Sequence, residues 1–310
     1  MTLVQGLASV STAAASGWLA MTWLGWSWLL ALVLAMAVGA VVAMATARSK
    51  SPAELVAEAE SWDAKHLRHH SEILELAAGL WMVEGSNAYP LPRNMFIVAL
   101  RSGGLLLYSV VAMNEDAMRE LEALGMPEIM VVPSRQHTFD AARYKARYPQ
   151  LTVVCSPEDA DVISKRVSVS ATFDETDVLE AAGVRVLVPP GLRPRMAGER
   201  VLVVPIAGGR KKALVFCDLI FNLPPSQCSI ITRLLGSGPF FGPTRILRWF
   251  GLADRYAFQQ FLLDCSYMKG VDAVLMTHGS PVLAPSATGL RLGGDTCTIP
   301  ELLLEAAARA

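Results

Sequence analysis

The chain has 310 residues, 53% of them hydrophobic, and 27 Lys and Arg against 28 Asp and Glu leave a formal net charge of −1. That balance excludes the bulk positive field by which proteins hold nucleic acid, so no nucleic-acid partner is expected. The five cysteines (Cys155, Cys217, Cys228, Cys265 and Cys297) follow no paired spacing, which fits a reducing compartment rather than a disulfide framework.

Charge is absent from the start of the chain, where Arg48 is the first charged side chain. A neutral tail, 1–17, leads into WLAMTWLGWSWLLALVLAMAVGAVVAMATA at 18–47, which is apolar almost throughout. At about 1.5 Å per residue a helix of that length reaches roughly 45 Å, and a bilayer core of about 30 Å needs only about 20 residues. The segment lacks the basic start and short apolar core of a cleaved signal peptide. A transmembrane helix over 18–47 is therefore the expectation, with the lipid bilayer as a partner. Trp18, Trp23, Trp26 and Trp28 crowd its first half, as an interfacial aromatic belt does. Arg48, Lys50, Lys65 and Arg68 follow it, so positive-inside bias makes this a single-pass membrane protein with its large C-terminal part in the cytoplasm.

Next comes a juxtamembrane connector, 48–78, predicted helical from Ser51. Ser51 caps it, Pro52 suits the first turn and Glu54 stands three residues after the cap. His66 and His70 lie four apart on that helix, but no third ligand follows at a recognisable spacing, so metal is not expected there. From Gly79 the texture changes to short β-branched runs such as LWMVEG, NMFIVAL, EIMVVPS, LTVVCSP, RVLVVPIA, KKALVFCDLIFNL and DAVLMTHGSPV. Helical patterns lie between them, at 114–125 from an Asn cap to Gly125, before Pro149, before Gly183, and over 244–270. This alternation over 79–310 predicts an α/β or mixed αββα domain with one sizeable core. No GxSxG elbow, GxxxxGK[ST] loop or strand-linked GxGxxG is present, which removes the commonest hydrolase and nucleotide-binding signatures. VPIAGGRKK reads as a basic hairpin tip. SIITRLLGSGPFFGPTRILRWFG joins Phe240, Phe241, Ile246, Leu247, Trp249 and Phe250 to Arg233, Arg245 and Arg248. That mixture suits a membrane surface, or else core aromatics with arginines reaching out from the core's edge.

Two stretches carry chemistry. KKALVFCDLIFNL sets Asp218 at the end of an apolar strand, and VDAVLMTHGSPV sets His278-Gly279 just after another. Together with RSGGLLLYSVV and the order of the strands, they resemble the metallo-β-lactamase-like superfamily. The likeness is strongest to a poorly characterised branch with a DLIFNL-type strand end and a terminal HG-x-P turn. It covers roughly 79–285 and implies an αββα sandwich, here preceded by the transmembrane and connector helices, with a metal site along one edge. It also implies a His-x-His-x-Asp-His cluster, a later His, a bridging Asp and a final His, holding one or two zinc ions. This sequence departs from that set. Its cluster loop, VVPSRQHTFDAARY, offers His137 and Asp140 alone, and VLVVPIAGGRKKALVF holds no His. Asp218 and His278 match the bridging Asp and final His. The remnant metal ligands are therefore His137, Asp218 and His278, with Asp140 as a fourth candidate. No catalytic residue or organic cofactor is assigned, and zinc is the one cofactor that this remnant admits. The reading that follows is a non-catalytic binding or scaffold module for an unknown protein or small-molecule partner. The alternative is a membrane-anchored mononuclear metal-dependent hydrolase. Each ligand also has a structural reading: Asp218 as a turn cap, His278 bonded to a loop carbonyl, and His137 as a solvated loop residue.

Overall fold

The computed structural model describes residues 68–86, 91–228, 232–233, 236, 238–284 and 298–310. The stretch expected to span the membrane and most of the connector lie outside them. Among the described residues no helix is long and apolar enough to cross a membrane. The chain divides into two units, Met1–Ser51 and Pro52–Ala310, and all that follows concerns the second.

The last part of the expected connector helix is not helical. Leu74–Ala77 is a strand, β1, antiparallel to β2, Leu80–Gly85. Gly79, at φ 78°, supplies the left-handed turn between them. Leu76 and Ala77 pack against the buried layer beneath the sheet, so tertiary pairing overrides the helical propensity of this stretch.

β3, Arg93–Ala99, and β4, Leu105–Tyr108, form the hairpin expected around Gly103-Gly104. Helix α1, Glu115–Leu124, begins where Asn114 accepts from the Ala117 N–H at 2.9 Å. β5 (Pro127–Val131), α2 (Ala141–Arg147), β6 (Thr152–Cys155), α3 (Pro157–Ile163) and β7 (Ala171–Thr172) complete a seven-stranded sheet in sequential order, parallel from β4 onward. After α4, Val178–Ala181, a second sheet begins with β8 (Arg185–Leu187), β9 (Val201–Ile206) and β10 (Lys211–Phe216). The short strands β11, Phe221–Asn222, and β12, Phe241–Gly242, form a ribbon. The helical region expected over 244–270 breaks in two: a π turn at Leu247–Gly251, then α5, Arg255–Ser266, capped by Asp254. β13 (Val271–Met276), β14 (Val282–Leu283) and α6 (Ile299–Arg309) follow, giving the second sheet the order β14-β13-β10-β9-β8.

The period-two pattern of the strands sorts their side chains into three apolar layers. Leu106, Ile129 and Val131 pack with Leu202, Val204, Val215 and Leu275 between the sheets. Their alternates Leu105, Leu107 and Met130 join Met118, Leu121 and Tyr144 of the first helical layer. Val201, Val203, Leu214 and Val274 join Phe258, Leu262, Leu302 and Leu303 of the second. The described domain is thus an αββα sandwich, the fold class expected from the sequence.

One residue fastens the two sheets at the edge where β4, β5, β10 and β13 end. Asn94, at the start of β3 and 1% exposed, donates through Nδ2 to the carbonyls of Met276 (2.9 Å) and Gly279 (2.7 Å). Its backbone N–H donates to Thr277 O at 2.8 Å. Asn94→Ala leaves two buried carbonyls without donors, so urea unfolding is expected to show a loss of about 2–4 kcal/mol. A loss below about 0.5 kcal/mol, the usual scatter for surface changes, contradicts this fastening role.

Candidate metal centre

Four strand ends supply the site. Ser109 follows β4, His137 lies in the loop after β5, Asp218 stands two residues beyond β10, and His278 stands two beyond β13. β10 and β13 are parallel neighbours, so residues at equal distance past their ends arrive side by side. The turn after β13 holds the imidazole in place. Gly279, at φ 100°, sits so close to the chain that a Cβ there would lie 2.1 Å from Asn222 O. Asn222 N–H donates to His278 O at 3.2 Å, and Ser280 N–H donates to Asn222 O at 2.9 Å. The DLIFNL strand end and the HGSP turn, which lie far apart in sequence, are therefore bonded to each other.

His137 Nε2 lies 3.4 Å from Asp218 Oδ1, and His278 Nε2 lies 3.3 Å from the same oxygen. The two rings are 5.5 Å apart, and Phe221 packs 4.9 Å from the His278 ring. The distal nitrogens are held from behind. His278 Nδ1 meets Pro92 O at 2.7 Å, and since a carbonyl only accepts, Nδ1 carries the proton. His137 Nδ1 meets Ser109 Oγ at 2.9 Å. Ser109 adopts φ 56°, a left-handed conformation that costs a non-glycine residue about 1–3 kcal/mol, and the strand end holds it there with its hydroxyl against the ring. A Ser-His-Asp nucleophile is excluded, because Ser109 is 0% exposed.

With Nδ1 protonated, the neutral form of His278 would point a bare Nε2 lone pair at a carboxylate oxygen. Asp218 Oδ1 is buried and makes no hydrogen bond of ordinary geometry, although both imidazoles stand 3.3–3.4 Å from it. Such a group of acceptors holds together around a cation. The donor set of two imidazole nitrogens and one carboxylate oxygen, mutually within 4.8 Å, suits zinc. A tetrahedral zinc with bonds of about 2.0–2.1 Å separates its ligand atoms by roughly 3.3–3.4 Å, which matches the two distances above. The residues present therefore fit a divalent cation.

Electrostatics favours the same three. Burial lowers the His137 pKa, which keeps the ring neutral and able to ligate, against the opposing pull of Asp218. Burial alone would raise the Asp218 pKa; the two imidazoles, when protonated and donating to it, outweigh that and hold its carboxyl well below the usual carboxylate range. The sequence reading missed Glu199, which stands just before β9, is 2% exposed, and accepts from the Asp218 N–H at 3.3 Å. With Cys217 and Asp218 it forms a second cluster of possible ligands. Burial and then the Asp218 charge push the Glu199 carboxyl well above the usual carboxylate range, and burial pushes the Cys217 thiol up as well. The sole signal for Glu199 was an acid directly preceding a buried apolar run.

Two expectations for the cluster loop are corrected. Asp140 does not join the trio: its carboxylate is paired with the Arg93 guanidinium and accepts from the Ala112 N–H at 3.0 Å. His137 is not a solvated loop residue, being 4% exposed. His66 falls outside the described residues. His70 is occupied structurally, with Nε2 accepting from the Asn114 N–H at 3.0 Å.

No protein-family model matches the chain, and no curated protein matches it. Solved structures do. A metallo-β-lactamase from Erythrobacter litoralis, with β-mercaptoethanol in its active site, aligns at a TM-score of 0.50 and 14% identity over 77% of this chain and 96% of its own. DIM-1 metallo-β-lactamase exposed to ceftazidime aligns at 0.50 and 13% identity over 78% of this chain and 99% of its own. VMB-1 aligns at 0.50 and 11% identity, over 76% and 94%. At these identities the likeness is one of fold, and the fold of this chain is that of the metallo-β-lactamases.

Proposed function

We propose that the chain is a membrane-attached, mononuclear metal-dependent hydrolase whose cation is held by His137, Asp218 and His278. The observation that carries this reading is the buried, unpartnered Asp218 Oδ1 set 3.3–3.4 Å from two imidazole Nε2 atoms. His137, Asp218 and His278 would hold the ion and leave it room for water, the ligand count of catalytic zinc sites. A divalent cation bound there supplies Lewis-acid activation of water near neutral pH. Asp218 supplies the anionic charge of the site, and its side chain remains 22% exposed, so the centre is open to solvent on that side. Ser109 and the Pro92 carbonyl fix the two rings, and Glu199 accepts from the Asp218 backbone N–H.

The second reading, a non-catalytic binding or scaffold module, draws support from the cluster loop, where Asp140 is committed to Arg93 and His137 is the one ligand offered. Metal content separates the two. After exposure to zinc and desalting, the purified full chain is expected to keep about one equivalent, the stoichiometry of a three-ligand centre. Asp218→Asn and His278→Ala are each expected to lower affinity by at least about tenfold while leaving a folded domain. No retained zinc in folded wild type refutes the proposal. Zinc retained without zinc-dependent turnover of any ester, thioester, amide or phosphodiester substrate favours the binding module.

Glu199 gives a pH test. Its folded pKa lies above the unfolded one, so the native state holds an extra proton between the two values and stability falls as pH rises through that window. The fall approaches about 1.4 kcal/mol per pH unit for one full proton. In metal-free protein, Glu199→Gln is expected to flatten this slope and to be relatively more stable at alkaline pH. Unchanged slopes in denaturant melts contradict a buried neutral Glu199.

Membrane attachment rests on the uncharged 18–47 stretch, and the cytoplasmic orientation rests on Arg48 and Lys50 after it. The full chain is expected to remain with membranes after alkaline carbonate washing. Release of intact protein removes the anchor from the proposal.

A further inference from the structure

The 245–256 segment leaves large apolar groups in solvent. Ile246 is 44% exposed, Trp249 56%, Phe250 69% and Tyr256 70%. Of the stretch that one sequence reading took as core, Phe241 and Leu247 are core, but Ile246, Trp249 and Phe250 are not. The π turn buries Leu247 and Gly251 and turns Trp249 and Phe250 outward. Four apolar side chains exposed within eleven residues mark a contact surface rather than the usual scatter of single exposed groups.

The charge around them is predominantly positive. The Arg245 guanidinium lies over the Trp249 ring at 5.5 Å. Arg255, at the start of α5, donates to Arg248 O at 2.8 Å and so draws the helix start against the π turn. Arg193 brings a further cation alongside, its N–H on Gly251 O at 2.8 Å and its Nε on Leu252 O at 3.1 Å. No carboxylate among the described residues forms an ion pair with Arg193, Arg245, Arg248 or Arg255. The acid within the segment, Asp254, is taken up in capping α5, accepting from the Ala257 N–H at 3.0 Å. In a chain of net charge −1, this is a local concentration of unneutralised cations around exposed aromatics.

We propose that the 245–256 segment is a docking surface for the anionic face of a lipid bilayer, with Trp249 and Phe250 entering the headgroup layer while the arginines meet lipid phosphates. Indole and phenyl rings beside guanidinium groups match the two zones of that boundary, apolar below and anionic above. Each arginine near such a surface adds roughly a fivefold gain in partitioning at physiological salt. A protein partner for the same face would need a complementary acidic, grooved surface. The bilayer needs none and accepts the exposed side chains of a single turn. The inference stands apart from the 18–47 anchor, since it concerns the surface of the folded domain.

The test is hydrogen exchange of the full chain with vesicles of phosphatidylcholine alone and with vesicles containing phosphatidylglycerol. Peptides covering 244–256 are expected to exchange at least about threefold more slowly on the anionic vesicles. That protection is expected to fade toward 1 M salt, where the Debye length falls to about 3 Å. Trp249→Ser with Phe250→Ser, and separately Arg245→Gln with Arg255→Gln, are expected to abolish it; both pairs leave Leu247 unchanged. Equal exchange on the two vesicle types overturns the proposal. So does protection that rises with protein concentration on neutral vesicles, which would assign the face to a second copy of the chain. Flotation of the chain on neutral vesicles reads the anchor separately, so failure of one does not mask the other.

Discussion

Asp218 Oδ1 is the constraint around which the edge of this domain is organised. A buried carboxylate oxygen costs several kcal/mol unless something positive satisfies it. Here the nearest groups are two imidazole nitrogens, and one of those rings has already given its proton to the Pro92 carbonyl. The arrangement is stable with a proton or a metal ion among the three acceptors and unstable with neither. Protonating the imidazoles works against the burial of His137, which disfavours its charged form. A divalent cation satisfies all three acceptors at once without asking a buried ring to carry charge.

That centre depends on strand ends set by the sandwich itself. Parallel pairing of β10 with β13 delivers Asp218 and His278 to one level, and parallel pairing of β4 with β5 delivers Ser109 and the His137 loop. The two pairs belong to different sheets, so their alignment requires a link across the sandwich. Asn94 provides it with three hydrogen bonds to the turn that carries His278. The apolar layer between the sheets supplies most of the energy, but apolar contact is non-directional and tolerates sliding. The Asn94 bonds convert that general adhesion into a fixed register at the site.

The sandwich was legible because its strands carry their burial in period two and its helices carry caps and stops, as with Asn114 and Gly125. Asp218 and His278 were legible because each follows an apolar run directly. What the sequence hid were long-range partners. Asp140 and Asp218 both look like free acids near an apolar stretch; they differ because Arg93, 47 positions before Asp140, neutralises one of them. Glu199 looked like the polar start of a strand, and only the packing of β9 against β10 reveals that it is buried beside Asp218. β1 was misread for the same reason, since SEILELAA has good helical propensity and becomes a strand only because β2 stands ready to pair with it. The break before α5 was in principle visible, as Asp254 is a cap residue set inside an otherwise helical pattern.

The other buried ionic contacts of the domain sharpen the reading of Asp218 by contrast. Asp159 is bound by the Arg135 guanidinium and the Arg135 N–H, Arg200 grips both oxygens of Glu158 at 2.8 Å, and Asp140 has Arg93. In each case a guanidinium, permanently charged and shaped for a carboxylate, neutralises the acid. Such pairs fasten the fold. Asp218 is given imidazoles, whose charge is conditional and whose second nitrogens are tied to Ser109 and Pro92. A fold that needed only to neutralise this carboxylate would have been served by an arginine, as it was at three other acids. Placing two oriented imidazoles there instead preserves lone pairs, and lone pairs converging on a solvent-edged carboxylate are what a metal ion requires.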